Sequence, residues 1–379
     1  MNASTKIDFI YLSEEDMVRA GVMDMPGCVD AMEEMFGLLH SGDYRMAGAN
    51  NDSHGAMILF PEESPFPNMP KPTTDRRMMA MPAYLGGSFG TSGVKWYGSN
   101  IENRELGLPR SILMFILTDT VTGAPLAFMS ANLLSAYRTG AVPGVGARHL
   151  ARKDSRVVGI HGPGVMGKTS LAAFIAACPQ IDTVKIKGRG EESLNNFIAW
   201  LKETYPQVKD IITVHSEEDV CRDADLIAYC ASADAGDPSK YPIVKREWLK
   251  PGAFLAMPAT SNFDEGMEAK DIRKVQDNIG LYEAWAEELP PNGHTIVPLV
   301  GVKFMDMIAD GRLQKEELED LGAIVAGAAP GRKNDEEIIM LSVGGMPVED
   351  VAWATIVYRN AIEKGIGQKL NLWDEPILR

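Results

Sequence analysis

Cysteine and long apolar runs are scarce in this sequence. Of 379 residues only 4 are cysteine, and no two of them form a CxxC pair. We therefore expect neither a disulfide framework nor a zinc knuckle, but reduced and mostly buried thiols of a cytoplasmic protein. No uninterrupted apolar run approaches the roughly 18 residues that cross a membrane. The amino-terminal segment lacks a basic stretch followed by an apolar one, so no secretory signal is expected.

Positive charge is outnumbered by negative charge, 37 residues against 52, which gives a formal net charge of -15. Proteins that bind nucleic acid or an anionic membrane need clustered lysine and arginine to neutralise phosphates, so we expect neither partner. Apolar residues make up 45% of the chain and charged residues 23%, the balance of an ordinary globular protein. At roughly 100–200 residues per domain, the length predicts two domains.

The pattern of apolar residues changes along the chain. Short β-rich runs separated by turns occupy residues 78–128, and a helical stretch interrupted near Pro143 follows. From Asp154 onwards strands alternate with helices, as in a parallel sheet. The pattern predicts an α/β protein, with a Rossmann-type doubly wound parallel sheet over residues 141–339. Residues 1–140 and 340–379 are expected to form a second, discontinuous α+β domain.

A glycine-rich turn joins the first strand of the predicted parallel sheet to the next helix. Gly162, Gly164 and Gly167 form a GxGxxG sequence, with Val165 and Met166 between the last two glycines. Such glycines allow a tight turn, the approach of a pyrophosphate to the backbone, and close packing of helix on strand. We expect these residues to bind a dinucleotide.

The same turn also matches the P-loop pattern of nucleoside triphosphatases, because Gly162 to Thr169 reads GPGVMGKT. A P-loop enzyme needs an aspartate at the end of a nearby strand to hold Mg²⁺. Only Asp119 resembles such a residue, and it lies upstream of the turn in the predicted antiparallel region. The dinucleotide interpretation is therefore favoured, with Lys168 on the helix surface and no metal site.

The end of the second parallel strand bears on the choice of cofactor. NAD-preferring sites usually place a carboxylate there to bind the ribose 2′-hydroxyl. Here the strand end carries Lys187 and Arg189, and no carboxylate occurs before Glu191. Two basic groups suit a 2′-phosphate, so we expect NADP, with NAD as the second possibility. Alternatively, both are solvated residues of a turn. His161, at the end of the first parallel strand, is expected to be a packing or turn residue rather than a catalyst.

Several segments resemble the ornithine cyclodeaminase/mu-crystallin family. They lie in the family's order between about residues 80 and 350 and comprise Met81-Pro82-Ala83, Lys95 in GVKWY, Asn103, LTDTVTGAPLAFM, Arg138-Thr139, the GxGxxG turn, and SVGGMPVED ending at Asp350. The resemblance implies a homodimer. The discontinuous domain is then expected to bind the substrate and to form the contact with the second copy of the chain. It also implies hydride exchange between nicotinamide and a carbon–nitrogen bond next to a carboxylate.

The resemblance also implies roles for single residues. Lys95 and Arg138 match positions that bind the substrate carboxylate, although either alone would more often be an ion-pair partner on a surface. Ser261, with Asp264, is expected to direct a proton at the substrate nitrogen. Further expected cofactor contacts are Thr139, Cys230 and Ala231.

Three positions depart from the cyclodeaminase pattern. Ser261 stands where cyclodeaminases have a catalytic aspartate, and Met79 stands where they have a glutamate. The family's additional carboxylate-binding arginine is missing from residues 50–60, and Arg76, Arg77 or His54 are candidate substitutes. These departures argue against ornithine as the substrate.

The sequence therefore predicts an NAD(P)H-dependent oxidoreductase that reduces a ketimine or imino acid, or oxidises the corresponding amino acid. The first alternative is an ammonia lyase of the cyclodeaminase type that uses NAD⁺ internally. The second is a nucleotide-binding partner subunit without catalytic activity.

Overall fold

The computed structural model describes residues 5–73, 75–233 and 235–378. The chain divides into two compact units. The first consists of Met1–Asp24, Ser41–Tyr137 and Met346–Arg379, and the second of Met25–His40 and Arg138–Gly345. The second unit thus includes a segment that precedes the predicted boundary at residue 141.

The strands of the described residues are, in chain order, β1 (Ile7–Leu12), β2 (Tyr44–Met46), β3 (Ala56–Ile58), β4 (Arg77–Leu85), β5 (Thr91–Ser99), β6 (Ser111–Asp119), β7 (Pro125–Ser130), β8 (Val157–His161), β9 (Thr183–Lys187), β10 (Asp210–Thr213), β11 (Leu226–Tyr229), β12 (Ile243–Val244), β13 (Phe254–Met257), β14 (Asn262–Phe263), β15 (Ile272–Gln276), β16 (Leu318–Asp320), β17 (Ile338–Ser342) and β18 (Gln368–Trp373). The α-helices are α1 (Glu14–Ala20), α2 (Met25–Ser41), α3 (Asn132–Leu150), α4 (Val165–Ala177), α5 (Glu191–Thr204), α6 (Glu217–Cys221), α7 (Ile279–Glu288), α8 (Val300–Ala309), α9 (Leu321–Val325) and α10 (Pro347–Lys364).

The first unit is built on a mixed sheet. Its strand order is β18-β1-β7-β6-β5-β4-β2, with β3 also paired to β4, and only the β1–β7 pair among these described strands is parallel. Side chains alternate along β4 to β6, so that Met81, Phe115 and Leu117 are buried on one face. Helix α10 packs against β4, β5 and β6. This helix, 18 residues long, begins at Pro347, where a missing amide hydrogen costs no helical hydrogen bond.

The second unit contains a parallel sheet in the order β10-β9-β8-β11-β13-β17-β15-β16. Every recorded pair in this sheet is parallel. Strands β11, β13, β15 and β17 are buried along their whole lengths, as expected for a sheet covered by helices on both faces. The strand order reverses direction at β8, which makes its carboxyl end the switch point where such sheets bind ligands. The predicted fold class is confirmed.

The four cysteines are free and buried, as the sequence predicts. Burial raises the pKa of the Cys178 and Cys221 thiols to about 11. None of the described helices combines the length and the apolar character that a bilayer crossing requires.

Candidate functional site

The glycine turn follows β8 at the centre of the parallel sheet. Gly162 has a φ of +109°, and a Cβ there would lie 2.6 Å from the amide nitrogen of Ala231. At Gly167 a Cβ would lie 2.1 Å from the carbonyl oxygen of Gly162, so helix and turn are in direct contact. Only glycine fits either position.

The amino end of α4 is open for a ligand. Gly164 is the N-cap of this helix and provides no side-chain hydrogen bond to the first amides. A Cβ built on Gly164 would meet nothing within 4 Å among the described atoms, and Val165 is 63% exposed. Unsatisfied amides and the positive end of the helix dipole attract an anion such as a pyrophosphate. The residues therefore fit the predicted dinucleotide.

The contacts of three side chains argue against the P-loop interpretation. The Lys168 ammonium lies over the Trp200 ring at 5.4 Å from its centre. The Thr169 hydroxyl, which would bind Mg²⁺ in a P-loop, is buried and donates to the carbonyl of Val165 at 3.1 Å. Asp119 accepts hydrogen bonds from the amides of Val121 and Thr122 and so closes a hairpin turn. Across the part of the chain that the structure describes, no cluster of acidic, histidine or cysteine side chains suits a metal.

Helix α3 packs directly on α4 within the second unit. A Cβ at Gly140 would lie 2.2 Å from the Cβ of Thr169, and one at Gly144 would lie 2.8 Å from that of Ala173. Thr139, a predicted cofactor contact, immediately precedes this close crossing. Two glycines in α3 thus bring Thr139 towards the helix that begins at the glycine turn.

Cys230 and Ala231 follow β11 beside the turn. The amide of Cys230 donates to the carbonyl of His161 at 2.7 Å, and Ala231 packs against Gly162. Burial raises the pKa of the Cys230 thiol to about 12, so it remains protonated. The Cys230 thiol is therefore not a reactive group, and a cofactor contact of Cys230 or Ala231 remains a prediction.

The two basic residues after β9 differ in environment. The Lys187 ammonium lies 3.0 Å from Nε2 of His161 and 3.9 Å from a carboxylate oxygen of Glu217 on α6. Arg189 is exposed and donates to the carbonyl of Ser232 at 3.0 Å. The sequence pattern missed Glu217, because it lies 30 residues after Lys187 and meets it only through the packing of α6 on β9.

Arg138 is buried against a glycine turn in the second unit. Gly345 has a φ of +74°, and a Cβ there would lie 2.7 Å from a guanidinium nitrogen of Arg138. The preceding amide, of Gly344, donates to a carboxylate oxygen of Asp277 at 2.6 Å. Burial raises the pKa of Asp277 to about 6, although backbone hydrogen bonds oppose this. Asp277 therefore holds the turn on which Arg138 rests, a role the sequence pattern did not reveal.

Lys95 forms a buried ion pair in the first unit. It lies on β5 and is 1% exposed, and its ammonium is 2.8 Å from a carboxylate oxygen of Asp350 on α10. It also donates to the hydroxyl of Ser135 at 3.2 Å. Asp350 was visible in the sequence as part of a motif, but its pairing with Lys95 depends on the packing of α10 on the sheet.

Ser261 lies between β13 and β14, Asp264 directly follows β14, and both side chains form hydrogen bonds with backbone groups. Ser261 is fully buried, its hydroxyl donates to the carbonyl of Ala259 at 2.9 Å, and its own carbonyl accepts from Nε2 of His294 at 3.0 Å. Asp264 accepts from the amides of Arg246 and Met267, each at 3.2 Å. Their roles at a substrate nitrogen remain predictions.

Of the candidate substitutes for the missing arginine, Arg76 and Arg77 are engaged by acidic groups. Arg77 is 2.5 Å from Asp75 and also lies over the ring of Tyr97, and Arg76 pairs with Glu102. Met79 is buried in the sheet. The geometry thus assigns neither arginine to a substrate carboxylate.

Comparison with known proteins gives a family and several relatives. The family model described as ornithine cyclodeaminase/mu-crystallin matches residues 22–365. N-((2S)-2-amino-2-carboxyethyl)-L-glutamate dehydrogenase of Staphylococcus aureus is 28% identical over 97% of this chain and 99% of its own. Delta(1)-pyrroline-2-carboxylate reductase of Bacillus cereus is 27% identical over 71% of this chain and 77% of its own.

Among solved structures, an archaeal alanine dehydrogenase dimer with bound NAD has a TM-score of 0.75 and 25% identity, covering 97% of this chain and 100% of that one. The family match spans both units and includes the glycine turn, Lys95, Arg138 and Asp350. The chain therefore belongs to the ornithine cyclodeaminase/mu-crystallin family, as its motifs predict.

Proposed function

We propose that this protein is an NAD(P)H-dependent oxidoreductase that reduces the carbon–nitrogen double bond of a ketimine or imino acid, or oxidises the corresponding amino acid. The observation that carries the proposal is the open glycine turn at the switch point of the parallel sheet. The named relatives are two dehydrogenases and a reductase, which confirms the predicted class of enzyme.

The chain's own residues are assigned to binding and proton transfer. Lys95 and Arg138 bind the substrate carboxylate, since a lysine supplies a point charge and an arginine two parallel hydrogen bonds. Asp350 orients Lys95, and the turn held by Asp277 orients Arg138. When bound, the nicotinamide supplies or accepts the hydride. Ser261 and Asp264 direct the proton at nitrogen once the Ser261 hydroxyl leaves the carbonyl of Ala259.

A nicotinamide dinucleotide is the cofactor, and we propose NADP over NAD. Lys187 and Arg189 place two positive charges after β9, where NAD sites carry a carboxylate. Glu217 is the acidic group nearest to Lys187 among the recorded ion pairs, and at 3.9 Å it neutralises Lys187 only in part. A 2′-phosphate is therefore better matched here than a 2′-hydroxyl.

We also propose a cytoplasmic homodimer. The outer face of the first unit's sheet carries cross-strand rows of apolar side chains, one running from Ala80 through Trp96 to Met114 and another from Val94 through Ile116. Exposed apolar surface of this kind is typical of a protein interface. A second copy of the chain is the proposed occupant, and the similar archaeal alanine dehydrogenase is itself a dimer. Free, buried cysteines suit a reducing compartment.

The direct experiment titrates NADPH and NADH into purified protein and then follows loss of the reduced nicotinamide with cyclic ketimines, or with 2-oxo acids plus amines. We expect NADPH to bind more tightly and at least one imine to be reduced. Arg138→Lys keeps the charge but loses the paired geometry, so it should raise KM for the imine while leaving NADPH affinity unchanged.

Three results would contradict this function. Binding of ATP without either dinucleotide would overturn the oxidoreductase. Release of ammonia from ornithine without net NADPH formation would favour the lyase, and tight NADPH binding without turnover of any imine, unaffected by Arg138→Ala, would favour a non-catalytic subunit.

A further inference from the structure

His161 is the last residue of β8 and sits in a row of three side chains. In the parallel register it pairs with Lys187 on β9 and with Tyr229 on β11. Paired residues of neighbouring strands project to the same face of a sheet. His161 is 6% exposed, and the Tyr229 ring meets its ring edge-on, with centres 5.2 Å apart and planes at 89°. The imidazole is thus held firmly at the strand end.

The contact between His161 and Lys187 fixes the protonation of the histidine. Nε2 of His161 lies 3.0 Å from Nζ of Lys187. An ammonium group has three donors and no lone pair, so Nε2 must accept, and the ring proton is on Nδ1. Burial, with the nearby charges of Lys187 and Arg189, lowers the pKa of His161 to about 3. The imidazole is therefore a neutral acceptor at physiological pH.

Lys187 is otherwise a long, flexible side chain whose ammonium can take many positions. His161 tethers it beside the turn, where the Lys187 carbonyl also accepts from the amide of Gly162 at 2.9 Å. Glu217 approaches both partners, with one oxygen 3.9 Å from each, while its other oxygen accepts from the amide of Ile243 at 2.9 Å. The carboxylate therefore attracts Lys187 but is itself held back by the backbone.

We propose that His161 is a positioning residue for cofactor selectivity: it holds the Lys187 ammonium at the end of β9, where Lys187 and Arg189 together receive the 2′-phosphate of NADP. The inference rests on the proposed cofactor. Glu217 acts in the opposite direction, because its negative charge lies near the same ammonium and opposes a phosphate.

The test compares dissociation constants for NADPH and NADH in His161→Leu and His161→Gln. Leucine removes the acceptor at similar volume, whereas the glutamine carbonyl oxygen can still accept from Lys187. We expect His161→Leu to weaken NADPH about tenfold, as for loss of one charge-assisted hydrogen bond, and NADH less than about twofold. His161→Gln should restore most of the NADPH affinity.

A second variant should change the NADPH affinity in the opposite direction. Glu217→Gln retains an oxygen for the Ile243 amide but removes the negative charge, so it should tighten NADPH several-fold, about the effect of one nearby charge, and leave NADH unchanged. If His161→Leu fails to fold, His161→Phe takes its place, because phenylalanine keeps a ring against Tyr229 but offers no acceptor to Lys187. An unchanged ratio of NADPH to NADH affinity in His161→Phe would overturn the proposal.

The reference variant Lys187→Met separates this inference from the proposed cofactor. If Lys187→Met abolishes the preference for NADPH but His161→Leu leaves it intact, His161 has no positioning role and NADP remains the cofactor. Equal weakening of NADPH and NADH in His161→Leu would assign it a purely structural role and overturn the proposal. Wild-type protein that prefers NADH would overturn both.

Discussion

Some charged side chains of this protein are buried away from solvent. Lys95 and Asp350 are both fully or almost fully buried, and the Lys95 ammonium lies 2.8 Å from a carboxylate oxygen of Asp350. A buried pair adds little stability relative to apolar residues of the same size, but removing one partner leaves the other charge without compensation. The pair therefore matters more for where the lysine points than for how much it stabilises.

Asp350→Asn should accordingly lower the free energy of unfolding by about 3–5 kcal/mol, because the buried Lys95 ammonium then loses the carboxylate charge 2.8 Å away. Denaturant unfolding of the purified variant measures this. Asp310→Asn is the matched control, since that aspartate pairs on the surface with Arg312 at 3.3 Å and its loss should cost less than about 1 kcal/mol. An Asp350→Asn protein as stable as wild type would contradict the prediction.

Buried histidines make the protein sensitive to acid. Burial lowers the pKa of His294 to about 4 and that of His161 to about 3, against about 6.5 in an unfolded chain. Between these values the unfolded chain binds more protons, so stability falls as pH falls below about 6.5. Asp277, with a pKa raised to about 6, has the opposite effect between about pH 6 and 4, because there the folded state binds more protons.

The two histidines therefore reduce stability on acidification, whereas Asp277 and Asp320, whose pKa values are raised by burial, oppose this loss. Each histidine contributes up to about 1.4 kcal/mol per pH unit in this window. His294→Gln retains a donor for the Ser261 carbonyl but does not titrate, so its unfolding free energy should fall less steeply between pH 6 and 4. Parallel pH profiles of variant and wild type would show that His294 is not responsible.

At the scale of elements, the strands of the first unit leave an apolar face exposed. Trp96 on β5 lies between Ala80 on β4 and Met114 on β6, and 38% of it is exposed. An isolated sheet face of this composition needs a cover. The proposed second copy would bury it.

Trp96→Glu should convert the dimer into a monomer, because a carboxylate buried at an interface without a partner opposes association. Light scattering of the purified protein gives the molar mass directly. Val121→Glu is the control, since that side chain is 89% exposed in the β6–β7 turn and should leave the dimer intact. If the Trp96→Glu protein is still a dimer, the interface does not lie on this face of the sheet.

The sequence was most informative where a local pattern determines an element. The GxGxxG turn between β8 and α4, the alternation in β4 to β6 and the parallel strands after Asp154 follow from spacing alone. Partners distant in the chain did not follow from it: Glu217 meets Lys187, and Asp277 supports the turn beside Arg138, only through tertiary packing. The hydrogen bond of the Ser261 hydroxyl to the carbonyl of Ala259 could not be predicted from the sequence either, because it depends on the conformation of the turn.

On the scale of the whole molecule, the first unit begins earlier in the chain than most of the second unit but can be completed only after it. Strand β1 pairs with β18, and α10 covers the sheet that includes β5, so the first unit needs both ends of the chain. The second unit is complete once Gly345 has left the ribosome. Domains fold as units during translation, so the parallel-sheet unit forms first. Helix α10, which packs on β4, β5 and β6, is synthesised after the second unit, so the buried face of these strands stays open to solvent until α10 emerges.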